Sequence, residues 1–422
     1  MATGEMARAD ERRPLWQSRD YLLLWSGQAV SAVGTQMSLL AFPLLVLLLT
    51  GSAAQAGFLG AARTLPYLAL GLPAGALVDR WNRKRLMLVC DAGRALLLGS
   101  IPLALALGRL TLTQLYIVAL AEGALNVFFN LASTAALVRV ASKQRIHLAT
   151  AVDEVTNSTA FAIGPALGGA LFGLGQALPF LGDSISYALS VLSLRLIRAE
   201  LNAHRGPAEG WRELRAEIVE GLRWLWRHPL MRFLALLTGG GLLVEAGYML
   251  VVIVLAQRLG ASAGAIGVVL AVGGAGSIGG ALLAAPLQRR FSFGQLTLGV
   301  HWIWALSLPL YALAPNAAAL AAITFVAFGV TPIFGVSQFS YRLALIPDGL
   351  QGRVNSVFRL ALFSGQPAGL ALAGVLIEAF GTAAAVLLFA ALAAALALAA
   401  TLYAPMRRAP KLRPTAPAAR GG

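Results

Sequence analysis

The chain has 422 residues, 58% hydrophobic and only 12% charged, about half the roughly 25% charged content of a soluble globular protein. That leaves too little polar surface for a water-soluble fold. The single cysteine, Cys90, excludes a disulfide framework, and His147, His204, His228 and His301 are too scattered for metal-ligand spacing, so no metal or cofactor is expected.

In chain order, residues 1–20 mix acidic and basic groups, and the apolar run after Tyr21 far exceeds the roughly 7–15 residues of a signal-peptide core. No cleavable signal is expected. A spanning helix needs about 20 mainly apolar residues, which gives twelve spans: 21–49, 55–78, 86–107, 112–138, 150–174, 177–198, 230–256, 263–287, 293–313, 317–344, 354–378 and 381–404. The fold class is an all-α membrane protein with two pseudo-symmetric six-helix halves. Basic residues gather in the N-terminus, the loops near 80–85, 139–147, 195–228, 289–290 and 342–353, and the tail. The opposite loops hold only Arg109 and Arg258, so both termini are expected in the cytoplasm. The net charge of +15 therefore lies beside the membrane, where anionic headgroups rather than nucleic acid are its expected partner.

The organisation that follows is an N-terminal cytoplasmic segment 1–20, a first half 21–198, a linker 199–228, a second half 229–404 and a basic tail 405–422, expected to be disordered. Within the linker, Trp211 to Arg227 puts Leu214, Ile218, Leu222 and Leu225 on one face, the pattern of an amphipathic helix on the inner membrane surface.

Two motifs stand out. Gly75–Ala–Leu77–Val–Asp79–Arg80–Trp–Asn82–Arg83–Lys84–Arg85 is a charged turn between two spans, too short for a domain and too charged for lipid. Its lone acid, Asp79, can bond a neighbouring helix N-terminus and pair with arginine, latching helices together. Asn82, inside this turn, is a residue that tolerates the left-handed conformation better than other non-glycine residues. Gly280 to Arg290 aligns on this turn without gaps at an offset of about 205 residues, with Ala284 and Ala285 opposite Asp79 and Arg80. Such a repeat suggests duplicated halves with a site between them. In the fifth span, Pro165 lacks a backbone donor and is expected to kink the helix, while Gly164, Gly168 and Gly169 give a face for close packing. Gly274 to Gly279 matches a dinucleotide fingerprint in form, but no strand precedes it, so it is read as helix packing.

Ionisable residues inside spans cost a few kcal/mol and usually face a cavity or a partner. At about 1.5 Å per residue, Glu122 and Glu245 lie near mid-membrane, Arg63 and Arg94 about a third of the way in, and Asp183 close to the outer surface. A carboxylate out of water favours its neutral form, the chemistry of a proton carrier. The competing reading is a structural ion pair of Glu122 with Arg63 or Arg94. Gln28, Gln36, Asn126, Asn130, Tyr248, Trp302, Trp304, Gln338 and Gln366 include further candidates for a cavity lining, with interfacial anchoring or packing an equal reading for each aromatic.

The 75–85 turn resembles the signature loop between helices 2 and 3 of major facilitator superfamily transporters, and Gly164–Pro165–Ala–Leu–Gly168–Gly169 resembles the antiporter motif of drug exporters. Trp25 to Gln28 with Gly34, Arg63 to Pro66, Asp183 to Tyr187, Glu220 to Pro229 and Gly352 to Ser356 are similar to the branch holding macrolide efflux proteins and the enterobactin exporter. Thr35 stands where such relatives often carry an acid. The resemblance implies a monomeric, non-enzymatic exporter of amphipathic small molecules in a bacterial inner membrane, driven by proton antiport, with the signature loop stabilising the outward-facing state. An importer of a nutrient or lysolipid, and a non-transporting scaffold or sensor, are the alternatives.

Overall fold

The computed structural model describes residues 15–141, 145–202, 211–347 and 350–411, and only the backbone of Leu72, Ala76, Asp79, 211–215, Glu217, Ala361 and Leu362. The segment 1–14, Lys143, His204, Arg205, the Asp79 and Leu214 side chains, and the tail from residue 412 lie outside the described residues.

Six long helices precede the linker: α1 (Arg19–Thr50), α2 (Ala53–Arg80), α3 (Arg83–Ala106), α4 (Leu112–Val140), α5 (Ile146–Leu174) and α6 (Leu178–Leu196). The linker helix is α7 (Trp211–Arg227). Six more follow: α8 (Pro229–Arg258), α9 (Ala263–Arg290), α10 (Phe293–Ser307, continued by a 3-10 turn to Leu313), α11 (Ala317–Leu345), α12 (Gln351–Phe380) and α13 (Thr382–Leu402). Among the described residues, nine helices are long and apolar enough to cross a membrane; α2, α5 and α6 are not among them. In α6 the reason is visible: Asp183, Ser186, Tyr187 and Ser190 form one buried stripe that faces other helices.

Local chemistry sets the helix ends. Hydroxyl or amide side chains of Ser18, Ser52, Asn82, Thr111, Ser262, Ser292 and Asn316 accept from the backbone three residues on, capping the N-termini of α1, α2, α3, α4, α9, α10 and α11. Gly51 (φ 68°) and Gly260 (φ 76°) turn the chain after α1 and α8, a left-handed conformation that glycine adopts without a Cβ clash.

These boundaries correct the register of the repeat. α1, α2 and α3 begin at Arg19, Ala53 and Arg83, and α8, α9 and α10 begin 210 residues later, at Pro229, Ala263 and Phe293. Gly280 to Arg290 is helical throughout, and the residues opposite Asp79 and Arg80 are Arg289 and Arg290, not Ala284 and Ala285. The 205-residue spacing does hold further on, from α4 to α11 and from α5 to α12. Asn82 does not use the left-handed conformation: its φ is −70°, and it serves as an N-cap.

The packing repeats with the elements. α1 lies against α5 and α6, α2 against α4, and α3 against α6; α8 lies against α12 and α13, α9 against α11, and α10 against α13. The two sets meet chiefly through α2 with α12 and α5 with α9. Small residues permit these crossings. A Cβ on Gly374 of α12 would stand 2.6 Å from the Ala53 carbonyl, and Gly169 of α5 has no room for one against Ala263 of α9.

α7 forms as expected, but its apolar residues divide between two surroundings. Leu225 joins Val357 and Phe358 in a buried cluster, Gly221 abuts the Arg353 carbonyl, and Glu220 pairs with Arg353 at 2.5 Å. Leu222, with Val219 and Trp226, is exposed. A spacing of 218, 221 and 225 faces α12, and 219, 222 and 226 faces away.

Candidate functional site

The signature turn joins α2 to α3, with Gly75, Leu77, Asp79 and Arg80 in the last turns of α2 and Arg83 and Lys84 opening α3. Lys84 Nζ donates to the carbonyls of Arg195 (3.2 Å) and Ile197 (2.5 Å) at the end of α6, where a cation meets the negative end of the helix dipole. The Arg83 amide donates to Asn202 Oδ1 (3.0 Å), and its guanidinium reaches the Leu201 carbonyl. Asp20 of α1 accepts from the amides of Arg198 and Ala199. The turn is thus docked on the chain that leaves α6.

In α5, Pro165 is accommodated without ending the helix. Gly164 and Gly168 lie against Gln36 and Met37 of α1, while Gly169 and the Pro165 carbonyl meet Ala263 and Gly267 of α9. The motif therefore joins the two halves through small-residue packing.

The spans of the first half converge on a buried charge network. Glu122 of α4 is 1% exposed and has both oxygens on arginines: Arg63 Nε of α2 donates to one at 2.7 Å, and Arg94 Nη2 of α3 to the other at 3.1 Å. Arg94 also lies 3.6 Å from Asp91, donates to the Tyr187 hydroxyl of α6, and stacks over that ring at 3.9 Å. Tyr187 and Thr35 of α1 share a hydrogen bond of 2.6 Å. Asp91 accepts from Ser190 at 2.6 Å. Asp183 accepts from Ser38 of α1 at 2.5 Å and from Ser186 at 3.2 Å, with no arginine in ion-pair reach among the described residues.

The network sets three carboxylates, Asp91, Glu122 and Asp183, against two guanidiniums, Arg63 and Arg94. Fully ionised, it carries one excess negative charge. Asp183, on the second turn of α6, is 0% exposed and faces α1. Residue order offers Asp91 only as a fallback proton group after Glu122 and Glu245, and gives Tyr187 and Thr35 no place in a network. The signal for them was spacing, since 91 and 94, and 183, 187 and 190, each lie on one helix face.

Glu245 is not part of this network. It lies in α8, partly buried, with no ion pair or hydrogen bond among the described residues. Beside it in α8, Ala246, Met249, Leu250 and Ile253 face a narrow apolar cleft between the halves. From the first half, Phe42, Leu59 and Arg63 line it, and α12 adds Gln366 and Leu370. Of the other expected lining residues, Tyr248 donates to the Leu308 carbonyl in the core, Trp304 is buried, and Trp302 bonds Thr401. Asn126 and Asn130 donate to the Tyr67 hydroxyl beside Phe363.

Two helix sets of matching packing, with a cavity where they meet, define a membrane transporter. A profile described as Major Facilitator Superfamily matches residues 24–365, and the chain belongs to that superfamily. It is similar to the multidrug efflux pump Tap of Mycolicibacterium fortuitum, 29% identical over 377 residues that cover 85% of this chain and 90% of that protein. It is also similar to the enterobactin exporter EntS of Escherichia coli O1:K1 / APEC, 27% identical over 360 residues and 82% of each chain. In fold it is similar to the nucleoside transporter NupG, with a TM-score of 0.74 at 14% identity over 90% of this chain and 98% of that one. A bacterial homolog to the human lysosomal transporter Spinster, inward-facing and unoccupied, has a TM-score of 0.69 at 16% identity, over 91% and 97%. The protein is a multi-pass membrane transporter, not an enzyme.

Proposed function

We propose that this protein exports amphipathic small molecules by proton antiport across a bacterial inner membrane, as a monomer with twelve spanning helices and both termini in the cytoplasm. One observation carries the reading: the apolar cavity at the junction of the halves has Arg63 in its wall, and Arg63 belongs to a buried network with one unbalanced carboxylate. Outward transport is supported by the similarity to Tap and EntS, an efflux pump and an exporter by name.

Asp183 is the proton seat in this reading. Among the described residues its oxygens meet only hydroxyls, and a hydroxyl can turn to accept from a neutral acid. A proton on Glu122 would instead displace an arginine bond. Glu245, without a partner among the described residues, is the second carboxylate open to a proton. Substrate in the cavity meets Arg63, and the bonds from Arg63 through Glu122, Arg94 and Tyr187 lead to α1, whose Ser38 holds Asp183. Alternating access then rocks the halves about the α2–α12 and α5–α9 crossings, with Asp79 in the signature turn latching one state. Asp79→Asn should leave a folded protein that transports slowly.

The test is transport by purified protein in proteoliposomes with a panel of macrolides and dyes. Accumulation should follow an imposed proton gradient and collapse with a protonophore. Equal transport with and without the gradient would refute proton antiport. Reporter fusions after Arg109 and Arg258 should read outside, and those after Lys143 and Arg205 inside.

A further inference from the structure

We infer that Arg63 is the substrate-recognising residue of the cavity, and that it selects an apolar molecule bearing an uncharged or anionic acceptor oxygen, such as a carbonyl, over a lipophilic cation. The inference rests on reading the cleft as the transport site and adds the chemistry of what enters it.

Arg63 is 8% exposed, and its hydrogen bonds are only partly spent. Nε is committed to Glu122, whereas Nη1 is buried and has no acceptor. A buried donor without a partner is costly, more so when charged, and native interiors rarely leave one unmet. The guanidinium stands 5.4 Å from the centre of the Phe42 ring, and Phe42 lines the same cleft. Arg63 itself lines that cleft, so a small turn of its guanidinium would bring the unmet donor to the cavity wall.

The rest of the lining fits an acceptor. Among the described residues no Asp or Glu lines the cleft itself, and Glu122 is already held by Arg63 and Arg94, so a cationic substrate would meet the Arg63 guanidinium with no carboxylate at the wall. The Thr64 hydroxyl is spent on the Gly60 carbonyl at 3.1 Å. Across the cleft, the Gln366 amide of α12 makes no hydrogen bond among the described residues. A ligand whose oxygen takes Arg63 Nη1 and whose second polar group meets Gln366 touches both halves at once. The apolar side chains between them hold its body.

Equilibrium binding to the full-length protein in nanodiscs tests this without any gradient. The probes are two steroids that differ only by a ring ketone against a methylene, and tetraphenylphosphonium as the lipophilic cation. The ketone should bind about tenfold more tightly than its methylene partner, the worth of one hydrogen bond to a charged donor, and the phosphonium should bind more weakly than the ketone. Arg63→Met with Glu122→Gln removes both members of the pair and keeps the network's net charge. That protein should bind both steroids and lose the preference. If it does not fold, Arg63→Lys keeps the ion pair but lacks the second nitrogen, and should also lose the preference. Equal binding of the two steroids by the unaltered protein, tighter binding of the phosphonium, or a preference that survives in a folded variant would overturn the inference. A ketone preference in a protein that shows no proton-driven transport would remove the antiport reading and leave the recognition site standing.

Discussion

With the 210-residue register in hand, the two halves can be compared residue by residue. Arg63, Asp91 and Arg94 correspond to Gly273, His301 and Trp304, and Glu122, at the 205-residue spacing of α4 and α11, corresponds to Ala327. His301 is satisfied within its own helix by the Thr297 carbonyl and packs against Phe334. The packing of the first half is thus repeated in the second, while its charge network is not. Caps and helix crossings specify the fold in both copies, and the chemistry is built into one. The second half supplies apolar wall, and its one central acid, Glu245, corresponds to Thr35, a member of the network in the first half.

The sharpest way to break this comparison is to neutralise one acid in each half. Glu122→Gln leaves Arg63 and Arg94 facing a neutral amide, and removing one member of a buried ionic group costs about 3–5 kcal/mol. Glu245→Gln deletes no ion pair among the described residues and should change stability by about 1 kcal/mol. Thermal unfolding in detergent measures both. Equal losses would mean that the network is not what distinguishes the halves. Adding Arg63→Met to Glu122→Gln should recover much of the stability.

A second pair of variants separates packing from chemistry. A Cβ on Gly123 of α4 would strike the Arg63 carbonyl of α2, and one on Gly280 of α9 would strike the Gly329 carbonyl of α11. Each alanine substitution should cost about 1–3 kcal/mol by overpacking, because the crossings are equivalent. Only Gly123→Ala displaces Arg63, so only it should lose transport in protein that remains folded. Transport lost equally in both would place the chemistry in the shared packing instead.

The smallest expected effect lies where the halves touch at the end of the bundle opposite the termini. Glu378 of α12 accepts from the Ser52 hydroxyl (2.6 Å) and the Ala54 amide (3.0 Å) at the start of α2. Glu378→Gln should weaken this exposed cap by about 0.5–1 kcal/mol and shift the bundle toward opening at that end. Spin labels on α2 and α12 would record a longer mean separation, and an unchanged distance distribution would show that the contact does not hold the halves.

Much of the architecture was legible in residue order alone. Long apolar runs, the charged turn at 75–85 and the periodicity of 211–227 each report a local property, and each reappears as a helix or a helix boundary. The repeat was seen but placed five residues out, because Ala, Leu and Gly match at many registers whereas the caps at Asn82 and Ser292 fix one. The network was half visible: Glu122, Arg63, Arg94 and Asp183 stood out as charges in apolar surroundings. That they meet at one point, with Asp91, Tyr187 and Thr35 between them, depends on how four helices cross. Helical spacing gives the face a side chain occupies, not the helix opposite it. For the same reason Tyr248, which residue order leaves open between cavity lining and packing, is placed in the core only by the fold.

The most direct test of the account is Asp183→Asn in proteoliposomes, with gradient-driven transport and substrate exchange measured side by side. The variant keeps the volume and can still bond Ser38, but it removes the excess charge of the network and its proton seat. The account predicts that uphill transport stops while downhill exchange of substrate continues near the unaltered rate. Uphill transport at the unaltered rate in a folded Asp183→Asn protein would contradict it.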